Sequence, residues 1–281
     1  MKKVVIVPNA VKDGSFAVTD LVATKLLDLG FGVYIHSEVH YDKCGIVKFD
    51  EFPLDADLII VIGGDGSVID ASGVAIEQNI PMLGVNLGKV GYLTEVDTDE
   101  IYVLDKLISG EYSVIEKMLL SVEFGENGKA ADRYAVNDIV ISRNSLSNIA
   151  EIKVEDSLEN SVKFRADGVI LATPQGSTAY SFSTGGPVVA HDVESILLTP
   201  VSPHSFFNRS VIFNSSDVIK VTNSGEFSLS VNVDGRCVKT LEPGEYCKIK
   251  RAEKVVKMLT FKENSMFSSL FRKMRILGDI D

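Results

Sequence analysis

Residues 58–67 read LIIVIGGDGS, and this stretch decides how the first part of the chain folds. Five consecutive apolar residues open it, which is typical of a strand buried on both faces of a parallel sheet. The strand ends in a glycine loop, 63–67, that contains Asp65 and Ser67, and a helix is predicted from about Ser67 to Gln78. Because open α/β sheets bind ligands at the carboxyl ends of their strands, the glycine loop is the first candidate site.

The same alternation of strand and helix extends on both sides of this stretch, whereas the chain after residue 110 has a different character. There, short β-branched or alternating runs are separated by turn sequences such as Asp234-Gly235. We therefore predict the fold class α/β plus all-β, with an N-terminal open α/β nucleotide-binding sheet and a C-terminal mainly antiparallel β domain. The predicted boundaries are 1–110 for the first domain and 111–262 for the second, with a C-terminal helix at 263–281 that packs back on the first.

Composition excludes several classes of protein. The 281 residues are 45% hydrophobic and 24% charged, which is ordinary for a globular protein and excludes wholesale disorder. The formal net charge of -11 repels polyanions, so nucleic acid is not an expected partner. No apolar stretch approaches the length of a membrane span, so no membrane association is expected. Three cysteines without a CxxC pair indicate reduced thiols and a cytoplasmic location.

The glycine loop combines features that suit a phosphate with one that does not. Glycines let a phosphate approach the backbone closely, and a helix N-terminus offers free N–H donors. A carboxylate has the wrong charge for binding phosphate, so Asp65 indicates a task such as taking a proton from a hydroxyl or holding a cation. The alternative is a glycine-rich turn in which Asp65 serves as a helix cap, and the loop alone leaves both interpretations open.

Three further stretches place polar residues next to buried strands. Residues 84–93 carry three glycines, an asparagine and Tyr92, and either line a nucleotide cleft or form a packed loop. Residues 167–187 are dominated by small and hydroxyl side chains, which suit a polyhydroxylated or phosphorylated ligand. Asn137 and Asp138 interrupt an apolar strand, where buried polar groups need partners from a ligand or a neighbouring loop.

Together these stretches resemble the NAD kinase family. The Gly-Gly-Asp-Gly block, the 84–93 block, the Asn137-Asp138 pair and the 173–180 block TPQGSTAY occur in the family's order over residues 4–262. The first block is shared with diacylglycerol, sphingosine and 6-phosphofructo kinases, whereas the 173–180 block is specific. Ser67 replaces the usual threonine, and Asp138 replaces the common glutamate, which shortens its reach by one methylene.

The resemblance implies an enzyme that transfers the γ-phosphoryl of ATP to the 2′-hydroxyl of the adenosine ribose of NAD. Asp65 is then the general base or the group that orients that hydroxyl. The asparagine–aspartate pair holds the adenosine, the 178–183 residues form the adenine and ribose pocket, and Asp167 contacts the nicotinamide half. The residues implied to face the phosphates are Gly63, Gly64, Gly66 and Ser67, and those implied to bind NAD are Tyr92, Asn137, Asp138, Asp167, Thr178, Ala179, Tyr180 and Ser183.

The resemblance also implies a divalent cation, Mg²⁺, that arrives with ATP, and a homodimer or homotetramer. The sequence shows no dedicated protein metal site. Two other interpretations are kept. One is a lipid or sugar kinase that shares the first block, against which the 173–180 block argues. The other is a non-catalytic sensor of NAD or NADP, against which the retained Asp65 argues.

Overall fold

The computed structural model describes residues 2–53, 55–88, 91–126, 128–145, 148–204 and 207–261. The chain divides into two compact units: unit 1 is Met1–Glu116 with Val256–Asp281, and unit 2 is Lys117–Val255. The boundaries at 110 and 262 stay a prediction, and the helix expected at 263–281 lies outside the described residues. Among those described, no helix has the length and apolarity needed to cross a membrane.

Unit 1 alternates strands and helices. Its first helix starts beside Asp13, whose buried carboxylate accepts hydrogen bonds from the Thr19 N–H (2.8 Å) and hydroxyl (2.6 Å) and so satisfies a donor of the first turn. In chain order the elements are β1 (Lys3–Pro8), α1 (Ala17–Asp28), β2 (Gly32–His36), β3 (Ile46–Phe49), β4 (Leu58–Gly63), α2 (Asp65–Gln78), β5 (Met82–Asn86), β6 (Val96–Asp97), a 3-10 turn (Ile101–Asp105) and α3 (Lys106–Ser109).

The strands of unit 1 form a parallel sheet in the order β3-β2-β1-β4-β5, with β6 added beyond β5. The chain runs from β1 to β2 and β3 on one side, and β4 then pairs with β1 on the other. This reversal is a topological switch point, where open sheets bind ligands. The Asn9 N–H donates to the Ile62 carbonyl at 2.8 Å, so the loops after β1 and β4 are neighbours at the carboxyl edge.

The core of unit 1 explains why β4 is continuously apolar. Successive side chains of a strand point to opposite faces. Ile60 and Ile62 lie in one cluster with Leu26 of α1, while Ile59 and Val61 are just as deeply buried and therefore face the other layer. α2 packs against β4 and β5. Each fully buried isoleucine contributes about 1.5–3 kcal/mol, which fixes the edge from which the glycine loop projects.

Unit 2 is built from antiparallel strands with two short helical turns. A six-stranded sheet has the order β14-β13-β12-β9-β16-β17, and a second set pairs in the order β11-β10-β15-β18. Buried residues of both sets form one hydrophobic cluster. The elements are β7 (Ser113–Phe124), β8 (Lys129–Ala130), β9 (Asp138–Arg143), β10 (Ala150–Glu155), β11 (Ser161–Ala166), β12 (Gly168–Ala172), a 3-10 turn (Gln175–Thr178), α4 (Tyr180–Ser183), β13 (Ser195–Val201), β14 (Val211–Asn214), β15 (Ile219–Asn223), β16 (Leu229–Val233), β17 (Arg236–Leu241) and β18 (Tyr246–Thr260).

The predicted fold class is confirmed, and the differences lie in element boundaries. α2 begins at Asp65 rather than Ser67, because Gly64 takes the extended N-cap conformation and leaves Asp65 as the first helical residue. After residue 110 the sequence predicts short strands, whereas β18 runs without interruption over Tyr246–Thr260. Pairing in the sheet, rather than alternation of side chains, defines strands with a mixed polar pattern such as β11 and β17.

Candidate functional site

In unit 1 the site is organised around Asp65, which occupies the first position of α2. Its carboxylate accepts the backbone N–H of Tyr92 at 2.8 Å and that of Leu93 at 3.0 Å, one on each oxygen. These bonds fix the carboxylate at the carboxyl edge of the sheet while the residue stays partly exposed. An ionised carboxylate has about four lone-pair sites, so it keeps acceptor capacity for a ligand hydroxyl.

Two glycines are required by the side chains that lie against them. A Cβ on Gly91 would lie 2.1 Å from Asp65 Oδ1, and a Cβ on Gly63 would lie 2.4 Å from Ser67 Oγ. Both distances are far below a normal contact. The sequence blocks 63–67 and 84–93 are therefore parts of one arrangement, in which the second block clears space for the carboxylate of the first.

The rest of the glycine loop presents backbone and small groups. Gly66 is exposed with open space around its Cα, and the first turn of α2 directs its N–H groups outward. The Ser67 hydroxyl accepts a hydrogen bond from Asn9 Nδ2 at 2.8 Å, which ties the loop after β1 to the start of α2. The loop therefore has the backbone geometry that suits an anion.

Tyr92 lies beside the Asp65 carboxylate, which accepts its backbone N–H and also influences its phenol. Burial raises the pKa of the Tyr92 phenol, and the negative charge of Asp65 raises it further. The phenol therefore stays protonated and serves as a hydrogen-bond group with an aromatic face. The structure brings together Gly63, Gly64, Asp65, Gly66, Ser67 and Tyr92, all within unit 1.

In unit 2 the central residue is Asp234, which the sequence indicated only as part of a turn. Its carboxylate accepts three backbone N–H bonds, from Val136 (2.7 Å), Asn137 (2.9 Å) and Asp138 (3.0 Å). Asp234 has a φ of 46° and precedes Gly235 at 78°, the conformation that an Asp-Gly hairpin turn requires. This turn fixes the segment that carries the predicted adenosine-binding pair.

Asp138 is buried, with 6% of its surface exposed. Burial raises its pKa to about 7, the negative charge of Asp234 adds to the rise, and the Tyr180 N–H that donates to its carboxylate opposes it. Burial likewise raises the pKa of Asp234, against its three backbone hydrogen bonds. Near neutral pH Asp138 therefore exchanges a proton readily, and it either donates or accepts a hydrogen bond.

The hydroxyl-rich segment after β12 divides into a buried side and an accessible side. Thr173, Ser177 and Ser181 are fully buried and bond to protein: Thr173 Oγ1 donates to the Val136 carbonyl at 2.7 Å, and Ser181 Oγ lies 2.9 Å from Thr199 Oγ1. The density of hydroxyls in this segment thus reflects packing as much as ligand binding.

The accessible side carries the residues predicted to bind NAD. Thr178 and Ala179 are partly exposed, and Tyr180 and Ser183 are exposed, Tyr180 by 45%. The segment packs closely on the adenosine-binding pair, because a Cβ on Gly176 would lie 2.0 Å from the Asn137 carbonyl oxygen. The structure therefore brings together Asn137, Asp138, Thr178, Ala179, Tyr180 and Ser183.

Asp167 lies apart from this group. It precedes β12, whereas Thr173 follows it, a separation of roughly 20 Å along an extended strand. Its carboxylate forms an ion pair with Arg143 Nη2 at 2.9 Å, and its carbonyl accepts the Arg143 N–H at 3.0 Å. The structure therefore does not bring Asp167 together with the other residues predicted to bind NAD.

Sequence reasoning did not identify Asn9, Lys12 or the role of Asp234. Asn9 follows β1, which lies next to β4 in the sheet, so the strand order would have marked Asn9 as a candidate site residue. A partly buried cluster near Gln175 was also unforeseen: Lys117 Nζ donates to Gln175 Oε1 at 2.7 Å and lies 3.3 Å from His191 Nδ1. Since an ammonium only donates, His191 Nδ1 accepts, and burial lowers the pKa of this imidazole to about 4.

Across the described part of the chain, no three His, Cys, Asp or Glu side chains form a group able to hold a metal ion.

Comparisons with known proteins match both units. The family model described as the ATP-NAD kinase N-terminal domain matches residues 4–112, and that of the ATP-NAD kinase C-terminal domain matches residues 136–261. The chain is 36% identical over 283 residues to an NAD kinase of Caldanaerobacter subterraneus subsp. tengcongensis, covering 98% of this chain and 99% of the relative. An NAD kinase of Thermoanaerobacter pseudethanolicus is 37% identical over 281 residues, with 98% and 99% covered.

Two solved structures share the fold. A yeast NADH kinase complexed with NADH superimposes with a TM-score of 0.85 at 22% identity, covering 100% of this chain and 88% of that one. An NAD kinase from Archaeoglobus fulgidus in complex with ATP gives a TM-score of 0.74 at 24% identity, covering 97% and 98%.

Proposed function

The chain belongs to the NAD kinase family, and we propose that Asp65 is its general base. The reaction transfers the γ-phosphoryl of ATP to the 2′-hydroxyl of the adenosine ribose of NAD, and Asp65 accepts the proton of that hydroxyl. The observation that carries this assignment is the carboxylate itself, fixed by the Tyr92 and Leu93 N–H groups beside the glycine loop. A general base needs this combination of fixed position and free acceptor capacity.

The glycine loop is proposed to hold the phosphates. Its glycines permit close approach, and the N–H groups of the first turn of α2 meet negative charge favourably. Gly63, Gly64, Gly66 and Ser67 are assigned this role. The protein carries a net charge of -11, so these local donors rather than the overall field attract the triphosphate.

The accessible side of the segment after β12 is proposed to bind NAD. Asn137 and Asp138 hold the adenosine and its ribose, and the group Thr178, Ala179, Tyr180 and Ser183 forms the adenine and ribose pocket. Tyr180 supplies an exposed aromatic face for stacking. Tyr92, in unit 1, is assigned to NAD binding from the resemblance, and Asp167 meets the nicotinamide half, consistent with its distance from the adenosine group.

An ATP-dependent kinase of this fold uses a divalent metal, and we propose that the metal is Mg²⁺. Bound with ATP, such an ion would neutralise charge on the phosphates. In the described residues the protein contributes isolated carboxylates rather than a ligand cluster, which fits an ion that arrives with ATP.

The assignment of Asp65 is tested with Asp65→Asn in an assay that detects NADP formed from NAD, ATP and Mg²⁺. The variant keeps the size of the side chain but loses its basicity, so we expect turnover to fall by about 10²–10⁴-fold. Asp28→Asn, at the end of α1, is the control and keeps full turnover. Near wild-type turnover in Asp65→Asn rules out Asp65 as the base.

Two further features are proposed: a homodimeric or homotetrameric assembly and a cytoplasmic location. Light scattering on the purified protein measures the first, and a mass of one chain, 30.6 kDa, contradicts it. Three cysteines without a bonded pair agree with a reducing compartment. Fractionation of the source cells checks the location.

A further inference from the structure

Lys12 lies over the glycine loop. A Cβ placed on Gly64 would be 3.1 Å from Lys12 Nζ, so the ammonium occupies the space left by the missing side chain of the N-cap residue of α2. Gly64 directly precedes Asp65. An ammonium and a carboxylate therefore converge on two consecutive residues at the switch point of the sheet.

The position of Lys12 follows from the turn after β1. Asn9 Oδ1 accepts the N–H of Val11 (3.2 Å) and of Lys12 (3.1 Å), and Asn9 Nδ2 donates to Ser67 Oγ at 2.8 Å. One asparagine thus shapes the turn and fastens it to the first turn of α2. The base of the Lys12 side chain is fixed relative to the glycine loop, while its head group stays exposed.

The charges around Lys12 are of both signs, because the carboxylate of Asp65 lies in the first turn of α2 and the helix end itself is positive. The N-terminus of a helix carries a partial positive charge, which repels an ammonium. Among the described residues no ion pair joins Lys12 to Asp65, whose oxygens accept the Tyr92 and Leu93 N–H groups. The ammonium and the helix end therefore both favour an anion at this spot, beside the carboxylate of Asp65, although the protein as a whole is strongly acidic.

We propose that Lys12 is a catalytic residue that donates a hydrogen bond to a non-bridging oxygen of the transferred phosphoryl group; this rests on the proposed function of the glycine loop. The bond between the γ-phosphorus and the ADP oxygen breaks, and a bond to the ribose 2′-oxygen forms. Asp65 takes the hydroxyl proton. Lys12 stays protonated throughout and stabilises the charge on the phosphoryl oxygens, for which a fixed cation is well suited.

The kinetic test uses Lys12→Met, Lys12→Arg and the matched control Lys2→Met, in which an exposed lysine is removed at the opposite end of β1. We expect kcat for NADP formation to fall by about 10²-fold in Lys12→Met, the usual effect of losing one donor to a transition state. The KM for NAD stays within about threefold of wild type, a split that a merely structural role would not give. Lys12→Arg recovers most of the rate, and Lys2→Met matches wild type.

A binding test separates this inference from the proposed function. Equilibrium dialysis measures inorganic tripolyphosphate on the same variants without any catalysis. Loss of a charge-assisted hydrogen bond weakens binding about tenfold or more in Lys12→Met but not in Lys2→Met. Equal tripolyphosphate affinity in wild type and Lys12→Met overturns the inference, as does an unchanged kcat in that variant. If wild type binds tripolyphosphate through Lys12 but makes no NADP, the proposed function fails while the phosphate contact stands.

Discussion

The glycine loop of unit 1 and the 173–180 segment of unit 2 both follow a buried strand, β4 and β12, yet different chemistry holds them in place. In and beside the glycine loop, Asp65, Ser67 and Lys12 remain exposed or partly exposed, and glycines clear the space that they occupy. In the 173–180 segment the hydroxyls of Thr173 and Ser177 are fully buried and bonded internally.

The two regions differ in how deeply their charged groups are buried. The glycine loop keeps a carboxylate near the surface, with the Lys12 ammonium beside it, where a small desolvation cost leaves them available for chemistry. Unit 2 buries two carboxylates, and their pKa values rise as a result. A change in the first region should therefore alter rate, and a change in the second should alter stability and binding.

Gly91→Ala gives the largest expected effect on rate. The new Cβ would lie 2.1 Å from Asp65 Oδ1 and 2.5 Å from Thr94 Oγ1, so the carboxylate must move by about 1 Å. Displacing a base by this distance lowers kcat by about 10²–10⁴-fold, or roughly 3–5 kcal/mol of barrier. Steady-state kinetics measures the loss, and thermal unfolding shows a fold that is nearly unchanged.

The matched control is Gly73→Ala in α2, where no described atom lies within 4 Å of the added Cβ. This variant keeps its rate and gains up to about 1 kcal/mol from helix propensity. If Gly91→Ala kept the wild-type rate, the glycine loop and the 84–93 block would not act together.

Gly176→Ala is the corresponding change in unit 2, and it lowers stability rather than rate. Its Cβ would lie 2.0 Å from the Asn137 carbonyl oxygen and 2.5 Å from the carbonyl carbon, both of them backbone atoms that cannot rotate away. We expect the free energy of unfolding to fall by about 3 kcal/mol, at the upper end for overpacking. Urea denaturation measures it. A stable variant that lost only turnover would remove the contrast between the two regions.

Much of unit 1 was predictable because its signals are local. The continuous apolar run of β4 and the glycines after it define a strand, a loop and a helix without reference to the rest of the chain. Asp65 was a candidate for a related reason: a carboxylate among glycines at a strand end is either a helix cap or a functional group, and the loop alone left both interpretations open. The resemblance to a family then supplied the nucleotide-binding residues, including Tyr180 and Asp138.

What the sequence did not show depends on contacts between distant residues. Asn9 and Ser67 are 58 positions apart, and Asp234 bonds to Asn137 across 97 positions. Neither pair has a periodic or compositional signal, because each partner is fixed by the order of strands in a sheet. The buried role of Thr173 and Ser177 was missed for a related reason, since a hydroxyl that caps a neighbouring carbonyl has the same sequence signature as one that meets a ligand.

Asp138→Asn tests the buried side of the comparison through pH. The folded state raises the pKa of Asp138 to about 7, whereas the unfolded chain has a value near 4. Between these values the folded protein binds the extra proton, so the stability contributed by Asp138 is present at low pH and is lost as the pH rises toward 7. Asparagine does not titrate and lacks this loss. Relative to wild type, the variant should therefore gain about 2–3 kcal/mol between pH 5 and pH 8.

Urea unfolding gives the free energy of unfolding of both proteins at pH 5 and pH 8. The difference between variant and wild type is taken at each pH, and the change in that difference excludes titrations common to the two proteins. Asp217→Asn, in the turn after β14, is the control, and its difference from wild type stays small at both pH values. A gain confined to Asp138→Asn assigns the pH dependence to burial in unit 2. If Asp138→Asn showed no gain, its carboxyl would be ionised at neutral pH despite its burial. The contrast with the exposed carboxylate of unit 1 would then rest on geometry alone.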